Sequence, residues 1–394
     1  MNTKTEKRFH AFILFMFGIL MLNVLESCAQ STDNQNTTTV VNQEKSKKKT
    51  IKIALLLDTS NSMDGLIEQA KSQLWTIVNE LAKATCDGSK PDIKIALYEY
   101  GNSGLNPETG YIRQVTELTA DLDKLSQDLF SLKTNGGDEF CGHVIHTATN
   151  QLQWNIDGND LQAVFIAGNE PFNQGTINYS NACVAAKNKK IIVNTIFCGN
   201  FNEGISSGWK NGADLTGGAY MSIEQNTKTV FIETPYDDKI SALNDSLNDT
   251  YIGFGIKGKE KKMLQSQQDK NAESYSKANK VNRAVTKSSY LYKNESWDLV
   301  DAQSAGNVKV EEIKEEELPQ EMQKMDTKER KQYIDIKSQK REKINKQIAE
   351  LNQLRNQYIA KQSQAANTPN ATLDNAMIEA VRKQAIAQNF VFEK

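Results

Sequence analysis

Three oxygen-bearing side chains alternate directly after an apolar run near the start of the chain. The run LLL at positions 55–57 leads into Asp58, and Ser60 and Ser62 follow at alternate positions. A tight loop can direct one carboxylate and two hydroxyls to one point, and hard cations such as Mg²⁺ take such oxygens together with water. The alternative is a simple helix cap for the segment that starts near Met63. The spacing alone is compatible with both a metal site and a cap.

The elements around this motif predict where it lies in a fold. From Ile51 onward, strand-like runs such as IKIALLL, DIKIALYEY, LQAVFIAG and KIIVNTIFCG alternate with segments of helical spacing. The strand-like runs are apolar on both faces, which is typical of a mostly parallel, doubly wound α/β sheet. Ligands in such sheets bind beyond the carboxyl ends of the strands. Asp58 follows the first of these strands, so the fold class favours a ligand site at this position.

The motif resembles the Asp-x-Ser-x-Ser signature of von Willebrand factor type A (vWA) domains, which share this Rossmann-like architecture. The resemblance covers about residues 51–232, roughly half of the 394-residue chain. It implies a metal-ion-dependent adhesion site (MIDAS) with Mg²⁺ or Mn²⁺ held by Asp58, Ser60 and Ser62. It also implies that an acidic group of a partner protein completes the coordination of the ion.

The sequence departs from the vWA pattern at two further positions. The family usually has a Gly-Gly-Thr loop before its third helix, whereas here Asp138 follows the glycines at 136–137. The family usually has Asp-Gly after its fourth strand, whereas here Ala167 precedes Gly168. We expect Asp138 to supply the missing second carboxylate, with Glu170 adding a third directly or through water. The alternative is a site that has lost its metal while the fold persists as a scaffold.

The cysteines predict a disulfide near the same edge of the sheet. Helices that follow strands begin at this edge, which places Cys141 and Cys183 there, and Cys198 ends a strand. We expect a disulfide among these three residues, with Cys86 unpaired and buried; the connectivity cannot be read from the sequence.

Histidines offer a weaker alternative chemistry. His143 and His146 lie on one helical face after Cys141, but no second Cys/His pair with zinc spacing accompanies them. Surface histidines explain the pattern better than a zinc centre or a cysteine–histidine nucleophile pair. We therefore predict a protein that is not an enzyme, with a zinc- or thiol-dependent enzyme as the least favoured alternative.

The N-terminus predicts export and lipid attachment. Basic residues precede the apolar run 11–22, which is too short to span a membrane, and the sequence LESC ends at Cys28. This arrangement resembles a bacterial lipoprotein signal over residues 1–27, with acylation at Cys28 and a polar tether over 28–49. An ordinary signal peptide with an incidental cysteine is the alternative. We expect a lipid-anchored protein of the bacterial cell envelope, on the outer membrane's periplasmic or surface side.

The segments after the vWA-like domain (50–232) predict docked and charged helices. Residues 233–306 include large apolar side chains such as Trp297, for which packing inside the molecule is favoured over packing on a partner. Residues 307–394 are rich in charge, and Ile344, Ile348 and Leu351 form a narrow apolar stripe that Arg355 interrupts. This pattern is typical of a long solvated helix or a short coiled coil.

The overall composition limits the classes of partner. The formal net charge of −2 provides no basic field for nucleic acid. The sequence therefore predicts metal-dependent binding of an unknown protein partner, or adhesion, by a membrane-anchored chain. The alternative is a metal-independent scaffold that assembles through its C-terminal helices.

Overall fold

The computed structural model describes residues 48–156, 160–366 and 372–392. These residues belong to one compact unit, Lys47–Lys394. The predicted signal segment, the lipidation site Cys28 and the tether up to residue 47 lie outside the described residues.

A six-stranded sheet forms the centre of the first half. Its strands follow the order β4-β3-β1-β5-β6-β7, and all neighbours are parallel except the antiparallel pair β3 and β4. A separate antiparallel pair joins β2 to β8. The strands are β1 (Thr50–Asp58), β2 (Ala84–Cys86), β3 (Asp92–Tyr100), β4 (Ile112–Thr119), β5 (Leu161–Gly168), β6 (Ile192–Cys198), β7 (Tyr220–Ile223) and β8 (Phe390–Phe392).

Helices cover both faces of the sheet and continue beyond it. They are α1 (Asp64–Leu81), α2 (Leu122–Ser131), α3 (Cys141–Gln151), α4 (Tyr179–Asn188), α5 (Phe201–Ser206), α6 (Trp209–Asp214), α7 (Asp237–Asn248), α8 (Gly255–Tyr275), α9 (Lys277–Ser288), α10 (Leu299–Ser304), α11 (Gln320–Gln323), α12 (Thr327–Ala366) and α13 (Leu373–Ile386). Between α5 and α6 the chain turns at Gly208, which adopts a positive φ.

The alternating side chains of β1 explain why its apolar run is continuous. Ile53, Leu55 and Leu57 pack with α1, α2 and α13 on one face. Ala54 and Leu56 pack with α3 and α4 on the other face. A strand buried on both faces needs apolar residues at every position. The structure therefore confirms the predicted fold class, a doubly wound and mostly parallel sheet followed by a helical C-terminal region.

The end of the chain returns to the sheet, which the sequence did not predict. Met377 and Val381 of α13 lie in the same core cluster as β1. Gln69 and Gln73 of α1 accept hydrogen bonds from the first N–H groups of α13, at 3.1 Å from Leu373 and 2.9 Å from Asp374. A neighbouring helix thus supplies acceptors for the unpaired donors at this helix start. Residues 372–392 belong structurally to the sheet domain and not to the charged region before them.

The long helix α12 packs against α7 and α9 as part of a bundle. Its apolar residues Ile344 and Ile348 lie in one cluster with Trp297, so the predicted packing of Trp297 inside the molecule is confirmed. Arg355, which interrupts this apolar stripe in the sequence, is buried, and its Nε donates to Asp237 Oδ1 at 3.0 Å. The buried ion pair lets a charged residue occupy the packed face of the helix.

A buried charge cluster connects this bundle to the sheet domain. Arg283 of α9 pairs with Asp269 of α8 at 2.6 Å and with Asp123 of α2 at 2.8 Å. Its guanidinium also lies 4.7 Å from the ring of Trp75 in α1, and Lys287 pairs with Asp269 at 3.0 Å. Burial opposes ionisation of Asp269, but Lys287 and Arg283 together with two α7 amides outweigh it and hold the pKa of this carboxyl below its ordinary value.

We expect Asp269→Asn to lower the free energy of unfolding by about 3–5 kcal/mol, because it leaves two buried cations without their carboxylate. Urea unfolding at neutral pH measures this change. The matched control is Glu273→Gln in the same helix, whose exposed carboxylate pairs with Lys280 and whose loss should change stability by less than about 0.5 kcal/mol. Equal effects of the two substitutions would contradict the assignment.

The same cluster predicts the direction of the response to acid. The lowered pKa of Asp269 means that the folded protein binds fewer protons than the unfolded chain near the ordinary value of 3.8. The stability contributed by Asp269 is present above this value and is lost as the pH falls toward the folded-state pKa. Acidification below pH ~4 should therefore destabilise the wild type more steeply than Asp269→Asn.

Candidate functional site

The site is built on Asp58, the last residue of the central strand β1. Asp58 is fully buried, and its Oδ1 accepts a hydrogen bond from the Ser60 amide at 2.7 Å. Its Oδ2 has no hydrogen-bond partner among the described residues. An unpaired carboxylate oxygen in a buried position is costly unless a cation or another donor meets it. This oxygen is therefore available to a cation or to another donor.

Glu139 is the second carboxylate of the site, and the sequence analysis did not identify it. A methyl group at Gly101 would lie 2.8 Å from both Asp58 Oδ1 and Glu139 Cγ. Both side chains are therefore close to the backbone at this position. Glu139 is buried, and its Oε2 also lacks a partner among the described residues. Asp138, the predicted ligand, is exposed to solvent. The buried carboxylate of this loop is therefore Glu139, and the role of Asp138 as a metal ligand stays a prediction.

The hydroxyls of the motif lie next to these carboxylates. Ser60 is buried, and its Oγ lies 3.2 Å from Ser62 Oγ. Ser62 is exposed, and its hydroxyl makes a long contact of 3.4 Å to Oδ1 of Asn169, a residue that the sequence analysis did not consider. Ser60 also lies close enough to Asp58 and Glu139 to lower the pKa of each. The oxygens of two carboxylates, two hydroxyls and one amide thus form a connected group.

Glu170 lies close enough to this group to act on Glu139 through its charge. Its Oε2 accepts a hydrogen bond from Gln174 at 3.2 Å, and its charge contributes to raising the pKa of Glu139. Strand β5 ends at Gly168, where little room is left for a larger side chain. A methyl group at this position would lie 3.1 Å from Asp58 Oδ2. The predicted role of Glu170 as a ligand, directly or through water, stays a prediction.

The two buried carboxyl groups perturb each other. Burial raises the pKa of Asp58 well above its ordinary value, and the neighbouring charge of Glu139 raises it further. Burial also raises the pKa of Glu139, hydrogen bonds with Asp58 and Ser60 oppose this rise, and the charges of Glu170 and Asp138 add to it. Both groups would be favoured in their ionised form by a cation between them. The orphaned oxygens and the all-oxygen donor set fit a hard divalent cation.

A second layer of contacts fixes the loop that carries the motif. Thr59 donates its amide to Tyr100 O at 2.8 Å and its hydroxyl to Glu99 Oε2 at 3.2 Å. Arg113 on strand β4 pairs with the other oxygen of Glu99 at 2.5 Å. The carbonyl of Thr59 accepts from the Asn135 amide at 2.9 Å, which joins the loop to the one carrying Glu139. Hydrogen bonds therefore fix the backbone of both loops that carry the two carboxylates.

The predicted disulfide among Cys141, Cys183 and Cys198 is wrong for this structure, in which all three thiols are free and buried. Cys198 lies on the α1 side of the sheet, whereas Cys141 and Cys183 lie on the α3 and α4 side. The thiol of Cys141 donates instead to the Tyr100 hydroxyl at 3.8 Å, and burial raises its pKa. Cys86 is buried, as predicted.

The histidines do not converge on Cys141. His143 lies against Gly175, and its Nε2 is 3.2 Å from the Thr176 hydroxyl. His146 is exposed on α3, where Asn150 contacts it. Over the described ranges 48–156, 160–366 and 372–392, no cluster of three or more His, Cys, Asp or Glu side chains has metal-binding geometry. The rim site is defined here as Asp58, Ser60, Ser62, Glu139 and Asn169, and its oxygens belong to two carboxylates, two hydroxyls and one amide.

The fold is the doubly wound, mostly parallel sheet that the sequence predicts, and the rim site lies at the carboxyl end of its central strand β1. No protein-family model and no curated protein matches the chain.

Solved structures are similar over less than half of the chain. The vWA domain of SpRpn10 is 16% identical, with 44% of this chain and 87% of that chain covered and a TM-score of 0.34. The protein BatB from Bacteroides thetaiotaomicron is 17% identical, with 44% and 90% covered and a TM-score of 0.34. An aerotolerance-related membrane protein from Bacteroides fragilis NCTC 9343 is 15% identical, with 45% and 93% covered and a TM-score of 0.31. The functional proposal below is based on the geometry of the rim site.

In the part of the chain that the structure describes, no helix combines the length and the apolar character that crossing a membrane requires. The predicted attachment point, Cys28, lies outside that part.

Gly101→Ala is expected to destabilise the protein more than Gly88→Ala. Both glycines have a positive φ, +78° and +72°, so an alanine is strained at either position by roughly 1 kcal/mol. Only at Gly101 does the added methyl group meet the two carboxylates, whereas nothing lies within 4 Å at Gly88. Thermal unfolding of both variants measures the difference. Equal losses would show that the side chains of the rim site are free to move away.

Proposed function

We propose that this chain binds a partner protein at the rim of its sheet, and that binding depends on a divalent cation, Mg²⁺ or Mn²⁺. The observation that carries the proposal is the pair of buried carboxylates, Asp58 and Glu139, each with an oxygen that lacks a partner among the described residues. Burial and mutual repulsion raise the pKa of both groups, so that their joint ionisation is unfavourable without a positive charge beside them. A divalent cation would offset both charges and use both free oxygens.

The residues of the rim site suit different parts of this task. Asp58 and Glu139 would supply charge, Ser60 a buried hydroxyl, and Ser62 and Asn169 the oxygens nearest to solvent. Ser62 is exposed, so a group from outside the molecule can approach on this side. The role is one of binding, and it assigns no catalytic step to the rim site.

The surface next to the rim site suits a protein partner. Helix α5 begins just after the carboxyl end of β6, at the same edge of the sheet as Asp58. Phe201 and Ile205 on this helix are 50% and 40% exposed. The ring of Phe201 packs on Tyr220 at 4.9 Å, which holds it in place at the surface. Exposed, positioned apolar side chains of this kind are typical of protein interfaces.

The sequence supports a location for this activity at the bacterial cell envelope. Residues 1–27 and Cys28 support export and acylation, which would hold the domain at a bacterial cell envelope through a lipid. The polar tether over 28–49 would separate the lipid from the domain. The scaffold alternative has less support, because the aromatic residues and Arg355 of the C-terminal helices are used in packing within the chain.

Thermal unfolding with and without millimolar Mg²⁺ or Mn²⁺ tests the cation dependence. A ligand present at about 100 times its dissociation constant should stabilise the chain without residues 1–28 by about 2.7 kcal/mol. Asp58→Ala and Glu139→Ala should lose this response. The matched control is Asp138→Ala, the exposed neighbour, which should keep it. The proposed site would be refuted if neither ion stabilised the wild type, or if only Asp138→Ala lost the stabilisation by the ions.

Partner binding is tested separately with the immobilised domain. A protein from envelope extract should be retained by the wild type in Mg²⁺ and released by a chelator. Asp58→Ala should fail to retain it, while Asp138→Ala should retain it. If Asp58→Ala retained the protein as well as the wild type, and a chelator did not release it, the metal-independent scaffold would be supported instead.

A further inference from the structure

We propose that a groove in the C-terminal helical region binds a basic side chain, lysine or arginine, of a partner protein. The proposal does not rest on the cation dependence of the rim site, because the groove shares no residue with it. The groove lies between the start of α8 and the segment that connects α10 to α11. Its volume of about 340 Å³ is within the usual range for ligand pockets, roughly 300–1,000 Å³. Its lining includes the apolar residues Phe254, Val308 and Ile313 and the charged residues Lys309, Glu312 and Glu317.

The apolar part of the groove suits the stem of a basic side chain. Phe254 and Val308 are partly buried and pack against the cluster that contains Ile313. The amide of Phe254 donates to Trp297 O at 2.9 Å, which fixes the backbone of this residue. The aliphatic stem of a lysine or arginine can cover such a surface, and the face of an aromatic ring attracts the cationic head.

The charged part of the groove contains an acidic group without a counterion. Lys309 Nζ pairs with Glu312 Oε1 at 2.9 Å, so these two charges offset each other. Glu317 is exposed, and none of the ion pairs among the described residues includes it. The lysine nearest to it in the sequence, Lys314, lies 3.9 Å from Glu316 instead. A cation that enters the groove would therefore meet an uncompensated carboxylate, whereas an anion would be repelled.

Hydrogen bonds fix the segment that carries these charges. Asn307 donates its amide to Ala302 O at 2.9 Å and its side chain to Glu295 Oε2 at 3.0 Å. The amide of Glu312 donates to Lys309 O at 2.9 Å. The groove is thus formed before a ligand binds, which reduces the conformational entropy that binding costs.

The surface beside the groove favours a protein over a free amine as the ligand. Ile256, two residues after Phe254, is 89% exposed. A methyl group at Gly255, between them, would have no atom within 4 Å, so the surface is open at this point. The lysines at the start of α8, Lys257 and Lys259, do not line the groove. A protein that places a basic side chain in the groove can cover Ile256 with its neighbouring residues, whereas a small amine cannot.

Fluorescence anisotropy with fluorescein-labelled tetra-arginine tests the proposal, with tetraglutamine and tetraglutamate as references. The chain without residues 1–28 should bind tetra-arginine more tightly than either reference, and this preference should decrease as the salt concentration rises. Glu317→Gln should weaken the binding about twofold to fivefold, the range of an exposed ion pair. Phe254→Leu should also weaken it about twofold to fivefold, because leucine keeps the apolar contact but removes the aromatic face.

Glu350→Gln is the matched control, because it removes an exposed carboxylate of α12 that does not line the groove. It should leave the affinity for tetra-arginine unchanged within about 1.5-fold. Asp58→Ala should also leave it unchanged, since the peptide is not expected at the rim site, and thermal unfolding shows that each variant is folded. Equal effects of Glu317→Gln and Glu350→Gln would overturn the proposal, as would loss of binding in Asp58→Ala or equally tight binding of tetraglutamine. None of these results bears on the proposed cation dependence of the rim site.

Discussion

The close approach of two buried carboxylates at the end of the central strand is the constraint on which the functional part of this structure depends. Asp58 has no freedom to move toward solvent, because it ends a strand paired on both sides and lies against Gly168. Glu139 reaches the same point from another loop. Folding alone gives no benefit for bringing two such groups together, since burial and mutual repulsion both disfavour it. A hydrogen bond between the two carboxyl groups relieves this repulsion in part, and the proposed cation would offset the charge of both.

Helix α1 connects this constraint to the rest of the molecule. It begins at Asp64, just after the motif loop, and its side chains hold the segments that follow the sheet. Gln69 and Gln73 bind the start of α13, and Trp75 lies under the guanidinium of Arg283. The C-terminal bundle and the returning end of the chain thus pack on the helix nearest to the rim site. Their packing fixes helix α1, which begins directly after the motif loop.

The sequence predicted the sheet because strands buried on both faces leave an unmistakable apolar pattern, and it predicted Asp58 because ligand sites follow such strands. It could not distinguish Asp138 from Glu139, since two adjacent carboxylates in one loop differ only in the direction of their side chains. It placed Cys198 with Cys141 because both lie near one edge of the sheet, but the strand's alternation puts them on opposite faces. The return of α13 depends on contacts with Gln69 and Gln73, which no local pattern reveals.

The rigidity of this frame determines how the rim site can discriminate between partners. A site on flexible loops can adapt to a ligand by moving its groups, but here Thr59 and Gly101 hold both sides in place. Discrimination must then arise from fixed charge and from the groups that remain accessible, which are Ser62, Asn169 and the apolar side chains of α5. The carboxylate of Glu139 stands in a loop where the vWA pattern has a hydroxyl, while Ala167 stands where that pattern has a carboxylate, so the two departures offset each other in charge without changing the fold.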